Sequence, residues 1–163
     1  MVAFLKRMPH GIPGDVTRQS QAVIQAGVLN AALPFAGYGL FGKNASGKFV
    51  PVTTGDDAAD VYGILVRPYP TTGANASDPL GESVPPTTGV CDVMRSGYIA
   101  VKNNAGVPAL GGQVYVRVDT AAPGQPIGGI EAAADGANTI AVTGATFMGA
   151  ADADGNVEIG FNI

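Results

Sequence analysis

Asp152-Ala-Asp-Gly-Asn-Val-Glu-Ile-Gly-Phe-Asn-Ile163 decides the reading of the fold. From Val157 onward, Val157, Ile159, Phe161 and Ile163 alternate with Glu158, Gly160 and Asn162. Period-two patterning puts one face on a core and the other outward, as in an antiparallel strand. Asp154-Gly155 supplies the positive φ angles of a tight hairpin, so this strand pairs with the run before it. Working back along the chain, strands are expected at Lys48–Thr53, Val61–Arg67, Gly97–Lys102, Gln113–Val118, Thr146–Gly149 and Asn156–Asn162. Weaker patterns lie at Tyr38–Phe41, Val90–Met94 and Thr139–Thr143, about nine runs in all, each bounded by Gly, Asn, Asp or Pro.

No helical pattern alternates with these runs, which excludes a parallel βαβ sheet and leaves a mainly β fold: an antiparallel sandwich, a small barrel or a jelly roll. The one helical signal is a start at residues 15–30, with Asp15 as cap and Val23, Ile24 and Val28 near helical spacing. Gly27 interrupts it and Pro34 ends it. Residues 1–20 hold Lys6, Arg7 and Arg18 against Asp15, together with Pro9, Gly11, Pro13 and Gly14. They read as a basic, extended N-terminal arm, with residues 21–163 as a single β domain. Residues 68–89 carry five prolines and three glycines, too many for a strand, and read as a long surface loop that contacts a partner.

Composition narrows the function. The 163 residues have 24 Gly, 12 Pro, no Trp, one Cys, one His and a net charge of −4, with charged residues at only 13%. One Cys and one His are too few for the usual zinc ligand sets or for an internal disulfide. An acidic chain without a basic cluster does not suit phosphate backbones, so no nucleic-acid partner is expected. Nor is a membrane span or secretory leader, since the apolar start is only Met1–Leu5 and Gln19–Gly42 is punctuated by polar residues. No cofactor is expected.

Four candidate sites reduce to structural explanations. Gly42-Lys-Asn-Ala-Ser-Gly-Lys48 matches the core of a phosphate-binding loop, but Phe49 stands where Ser or Thr must hold Mg²⁺ and no helix follows. A hairpin tip at Asn44–Gly47 explains it better. Asp152, Asp154 and Asn156 have calcium-loop spacing, but Val157 and Ile163 occupy the positions of the required Gly and Glu. Cys91 lies in an apolar alternating run and reads as a core residue, with His10 too loosely placed to serve as its base. Asp56, Asp57 and Asp60 could supply a glycosidase pair, yet they read as a solvated turn.

One resemblance outweighs these fragments. Val61-Tyr-Gly-Ile-Leu-Val-Arg-Pro-Tyr-Pro70, Asp92-Val-Met-Arg-Ser-Gly-Tyr98, Gly112-Gln-Val-Tyr-Val-Arg117, Pro126-Ile-Gly-Gly-Ile-Glu131 and Ala145-Thr-Phe-Met-Gly-Ala-Ala-Asp152 occur in order. With Pro13–Arg18 and Gly155–Ile159, the series resembles the tailed-bacteriophage structural cement, or head decoration, proteins over nearly the whole chain. The resemblance implies a non-enzymatic virion protein on the outer capsid surface, made in the host bacterial cytoplasm. It also implies binding across junctions of the major capsid protein and working as a homodimer or homotrimer. On this reading Lys6, Arg7 and Arg18 face acidic capsid patches, and Tyr69 in the Pro-rich loop makes a second contact. Arg67 and Arg117, at strand ends, are equally suited to holding loops within the protein. The rival readings are a tail-fibre or receptor-binding β domain and a small β-barrel hydrolase.

Overall fold

A computed structural model describes residues 10–68 and 83–163, and over these the chain forms nine strands. They are β1 (Val23–Val28), β2 (Phe41–Ala45), β3 (Lys48–Pro51), β4 (Gly63–Leu65), β5 (Val90–Lys102), β6 (Gln113–Arg117), β7 (Ile130–Glu131), β8 (Thr139–Phe147) and β9 (Asn156–Phe161). Two single 3-10 turns, Gln19–Gln21 and Gly136–Asn138, complete the regular structure. Every strand pairing is antiparallel, in the order β3-β2-β4-β5-β9-β8-β6-β7 with β1 on β5, and the sheet curls into a half-barrel. The mainly β, antiparallel, barrel-like expectation therefore holds.

β5 is the spine. Along one side it pairs with β4 through Met94 and Val93 and then with β9 from Gly97 to Lys102. Along the other it receives residues 14–17 and then β1. Neighbouring residues on a strand point to opposite faces, and here both faces are filled. Phe41, Ile64 and Met94 enter one buried cluster, with Ile99, Val116, Phe147 and Phe161. Leu40, Leu65 and Val93 enter a second, with Leu29, Phe35, Tyr38 and Phe49. Hence the unalternated pairs Leu40-Phe41, Ile64-Leu65 and Val93-Met94: a sheet buried on both faces needs apolar residues at every position.

Two pairs of sequence runs merge. Val90–Met94 and Gly97–Lys102 are one strand of 13 residues, and Thr139–Thr143 and Thr146–Gly149 are covered by β8, which ends at Phe147. Gly97 (φ +132°) and Gly144 (φ +77°) bend these strands without ending them. The helical start at 15–30 is overturned: apart from one 3-10 turn the segment is extended, because its backbone groups are taken by β5. Ladder pairing over six residues outweighs a weak helical spacing already broken by Gly27. Tyr38–Phe41 is mostly a buried approach to β2, and β1 and the two-residue β7 lacked any alternation to mark them.

A Cβ on Gly97 would lie 2.8 Å from Ala22 Cα, where the 3-10 turn interrupts pairing on that side. Gly97→Ala is expected to destabilise the protein by about 3 kcal/mol, read as a lowered denaturation midpoint.

Candidate functional site

The lower half of the arm is bound into the body. Gly14 N–H donates to Ala100 O at 2.8 Å, Gly14 O accepts from Arg67 N–H at 2.9 Å, and Ala100 N–H donates to Asp15 O at 2.8 Å. Gly14 takes φ +95°, and a Cβ there would be 2.7 Å from Tyr38 Cβ, so only glycine fits between the strands. Arg67, itself buried, donates through Nε to Pro13 O at 3.0 Å and lies over the Tyr38 ring at 4.6 Å. His10 Nε2 donates to Ala150 O at 3.1 Å. The arm therefore has a fixed root.

At the other end of this root, Arg18 grips Glu158 on β9 through Nη2 at 2.8 Å and Nε at 3.2 Å, with Thr17 Oγ1 donating to the same carboxylate. The guanidinium stacks on Tyr98 at 3.7 Å and its side chain stays 44% exposed. Burial pushes the Glu158 carboxyl up, but hydrogen bonds from Arg18 and Thr17 outweigh it and hold the group below its ordinary value of 4.5. Of the residues expected to touch a partner, Arg18 is thus placed at the root. Lys6, Arg7 and Tyr69 lie outside the described residues, as does most of the Pro-rich loop.

Arg117 holds a loop. It is 2% exposed and donates through Nε to Glu131 (2.6 Å), through Nη2 to Glu131 (3.2 Å) and Asp135 (2.8 Å), and through Nη1 to Thr120 O (3.1 Å). One guanidinium thereby fastens β6, β7 and the chain on either side of them. Glu131 is the sole acid in an otherwise apolar run, Ile127–Ala134, and that isolation is the only sequence signal for it. Arg117 draws the Asp135 carboxyl below its usual range.

The motifs resembling ligand sites are turns. Ser46 (φ 52°) and Gly47 (φ 77°) form the two-residue β2–β3 hairpin, with Asn44 Oδ1 accepting from Gly47 N–H at 3.1 Å. Lys43 turns to Asp56 at 2.6 Å. Asp57 and Asp60 accept backbone N–H groups of the same turn at 2.8 and 3.0 Å. Asp152 Oδ1 accepts from Asp154 and Asn156 N–H at 3.0 and 2.8 Å, building the turn into β9. Cys91 is half-buried, and burial pushes its thiol up to about 11, which keeps it protonated near neutrality. It lines a cavity of about 220 Å³ with Leu29, Tyr38, Leu65, Pro86 and Val90, and among the described lining residues the one carboxylate is Asp92. Among the described residues no three His, Cys, Asp or Glu side chains gather to hold a metal ion.

The family model described as XM1 gp53 minor capsid protein matches residues 1–161. No curated protein matches the chain. A chain of the solved structure "The capsid of Myoviridae Phage XM1" shares the fold at a TM-score of 0.70 and 20% identity, covering 98% of this chain and 95% of that one.

Arg117→Met leaves Glu131 buried without its partner and is expected to cost about 4 kcal/mol. Adding Glu131→Leu should recover much of that loss in the same denaturation measurement. Because the folded-state value of Glu158 is depressed, its contribution is present above 4.5 and lost as pH falls through the folded value. Unfolding midpoints followed against pH should therefore fall on acidification below that point, and less steeply in Glu158→Gln.

Proposed function

The chain belongs to the family of the XM1 gp53 minor capsid protein, a structural component of a phage head located in the virion, and from that membership we propose that it is a capsid cement protein. It binds the outer surface of the head across junctions between major capsid subunits and stabilises the shell without chemical turnover. Nucleic acid and membrane have no part in this reading.

The fixed arm root carries the proposal. Residues 1–9, with Lys6 and Arg7, leave a net-acidic body at one defined place, His10 beside Ala150. A basic segment presented from a rigid base loses less freedom on binding than one that wanders, so modest ion pairs suffice. Arg18 presents the open face of its guanidinium beside the same root. Tyr69 and the Pro-rich loop make the second contact. A homodimer or homotrimer would engage several capsid subunits at once and gain avidity from each.

Because residues 10–18 are fastened to the body, through His10, Pro13, Gly14, Asp15, Thr17 and Arg18, the informative truncation stops at Pro9. Removal of residues 1–9 is expected to lower occupancy on empty expanded heads by an order of magnitude or more, with unchanged thermal unfolding. Binding by the full chain should weaken with added salt, as exposed ion pairs do. Equal occupancy by both chains, read by quantitative gel of sedimented heads, removes the arm from the account.

A further inference from the structure

Arg18 and Arg117 use the same edge of the guanidinium in the same way. In each, Nε and Nη2 together face one glutamate, Glu158 for Arg18 and Glu131 for Arg117. That edge offers two parallel N–H groups at the spacing of a carboxylate's two oxygens. Arg95 has the surroundings of Arg18 without the acid. Its guanidinium lies 3.3 Å from the centroid of the Tyr62 ring, as that of Arg18 lies over Tyr98, and Nη1 donates to Tyr62 O. Among the described residues, Nε and Nη2 of Arg95 meet no acceptor and no carboxylate pairs with the group. Neither atom is walled in, so both are open to solvent.

The guanidinium is held in place from several sides. Arg95 follows Val93 by two residues on β5 and shares its face, where Tyr62 packs against the second core cluster. The Tyr62 hydroxyl donates to Gln25 Oε1 on β1 at 3.1 Å, and its ring lies 6.4 Å from that of Phe49. Behind Arg95, Asn162 takes a left-handed conformation (φ 50°). It donates through Nδ2 to Arg95 O at 3.1 Å and accepts at its own O from Ser96 Oγ at 2.9 Å. Asn162 thus clamps β5 just before its bend at Gly97. Left-handed backbone at a non-glycine residue costs energy and gathers at sites where position matters for function. A side chain fixed beforehand loses little further freedom on binding.

We propose that Arg95 receives a glutamate or aspartate side chain of a neighbouring major capsid subunit, which completes through Nε and Nη2 the arrangement that Glu158 completes on Arg18. The identity of that subunit rests on the cement reading. The acids near Tyr62 in sequence are already committed, since Asp57 and Asp60 accept N–H groups of their own turn. A phosphate backbone suits the site less, because one arginine on a chain of net charge −4 offers no row of cations for successive phosphates. The rim also fits a protein. Val23, opposite Ser96, is 52% exposed, and Ile163, next to Asn162, is 62% exposed. Tyrosine and arginine are over-represented among the residues that carry most of an interface's binding energy.

Binding of the purified full chain to empty expanded heads, read by quantitative gel of sedimented heads over a range of chain concentrations, tests the site. Arg95→Gln should raise the half-saturating concentration about tenfold. Arg95→Lys keeps the charge and a stem over Tyr62 but loses the fork, and should fall between that variant and the wild type. It also guards against a loss of fold in Arg95→Gln, which thermal unfolding would reveal. On heads whose surface carboxylates have been amidated with a carbodiimide and glycinamide, the wild type and both variants should bind alike. Either variant binding unmodified heads as the wild type does, a wild-type advantage that persists on amidated heads, or one seen only on DNA-filled heads overturns the proposal and leaves the cement reading standing. A wild-type chain that binds no heads overturns both.

Discussion

A β-sheet with apolar residues on both faces must be covered twice, and that requirement organises this protein. Along β2, β4 and β5 the neighbours Leu40 and Phe41, Ile64 and Leu65, and Val93 and Met94 point into two different cores. Neither core could form without the other, because each leaves the opposite face of the same wall open to water. The wall also fixes where backbone glycine is needed. Gly42 and Gly63 lie opposite one another in the β2–β4 ladder, and a Cβ on either would approach a neighbouring atom to 2.6 Å. Side-chain bulk is excluded there so that Phe35 and Phe49 can stack at 5.0 Å over the gap.

The scarcity of charge has a structural counterpart. Arg18, Lys43, Arg67, Arg95 and Arg117 are all engaged within the molecule, by carboxylates, carbonyls or aromatic rings. Lys48 and Lys102 remain exposed on the body, and Lys6 and Arg7 precede the described residues. With so little positive charge left on the body, the few cations near its N-terminus stand out against an acidic background. A surface made mainly of small neutral residues also desolvates cheaply against another protein, since interface cores are depleted in charge.

Strand content was legible where one face met water. β9, with Val157 to Phe161 alternating, β6 and the β2–β3 hairpin all follow local rules of period and turn chemistry. β1 was misread because its residues are exposed on both faces, so tertiary pairing with β5, some 70 residues later, decides its conformation. The two merged strands were divided at Gly97 and Gly144 because a glycine that bends a strand and one that ends it look alike in sequence. The basic, Pro- and Gly-rich character of residues 1–20 is legible in the sequence. The attachment of this segment is not, since Arg67, Ala100, Ala150 and Glu158, which hold it, are scattered along the chain. Likewise Arg117 could be suspected of holding a loop, but its partners at 131 and 135 could not be chosen without the fold.

The way β5 gathers its neighbours also dictates when the molecule can come into being. Residues 14–17 must wait for a strand more than eighty positions further on, and that strand stays half unpaired until residues 156–161 arrive. No stretch emerging early from the ribosome owns a complete hydrophobic interior, so assembly is postponed to the end of synthesis. Chains dominated by such distant pairings fold slowly, in milliseconds to seconds, with sticky edges bare meanwhile. The chain is therefore vulnerable to clumping during its own manufacture.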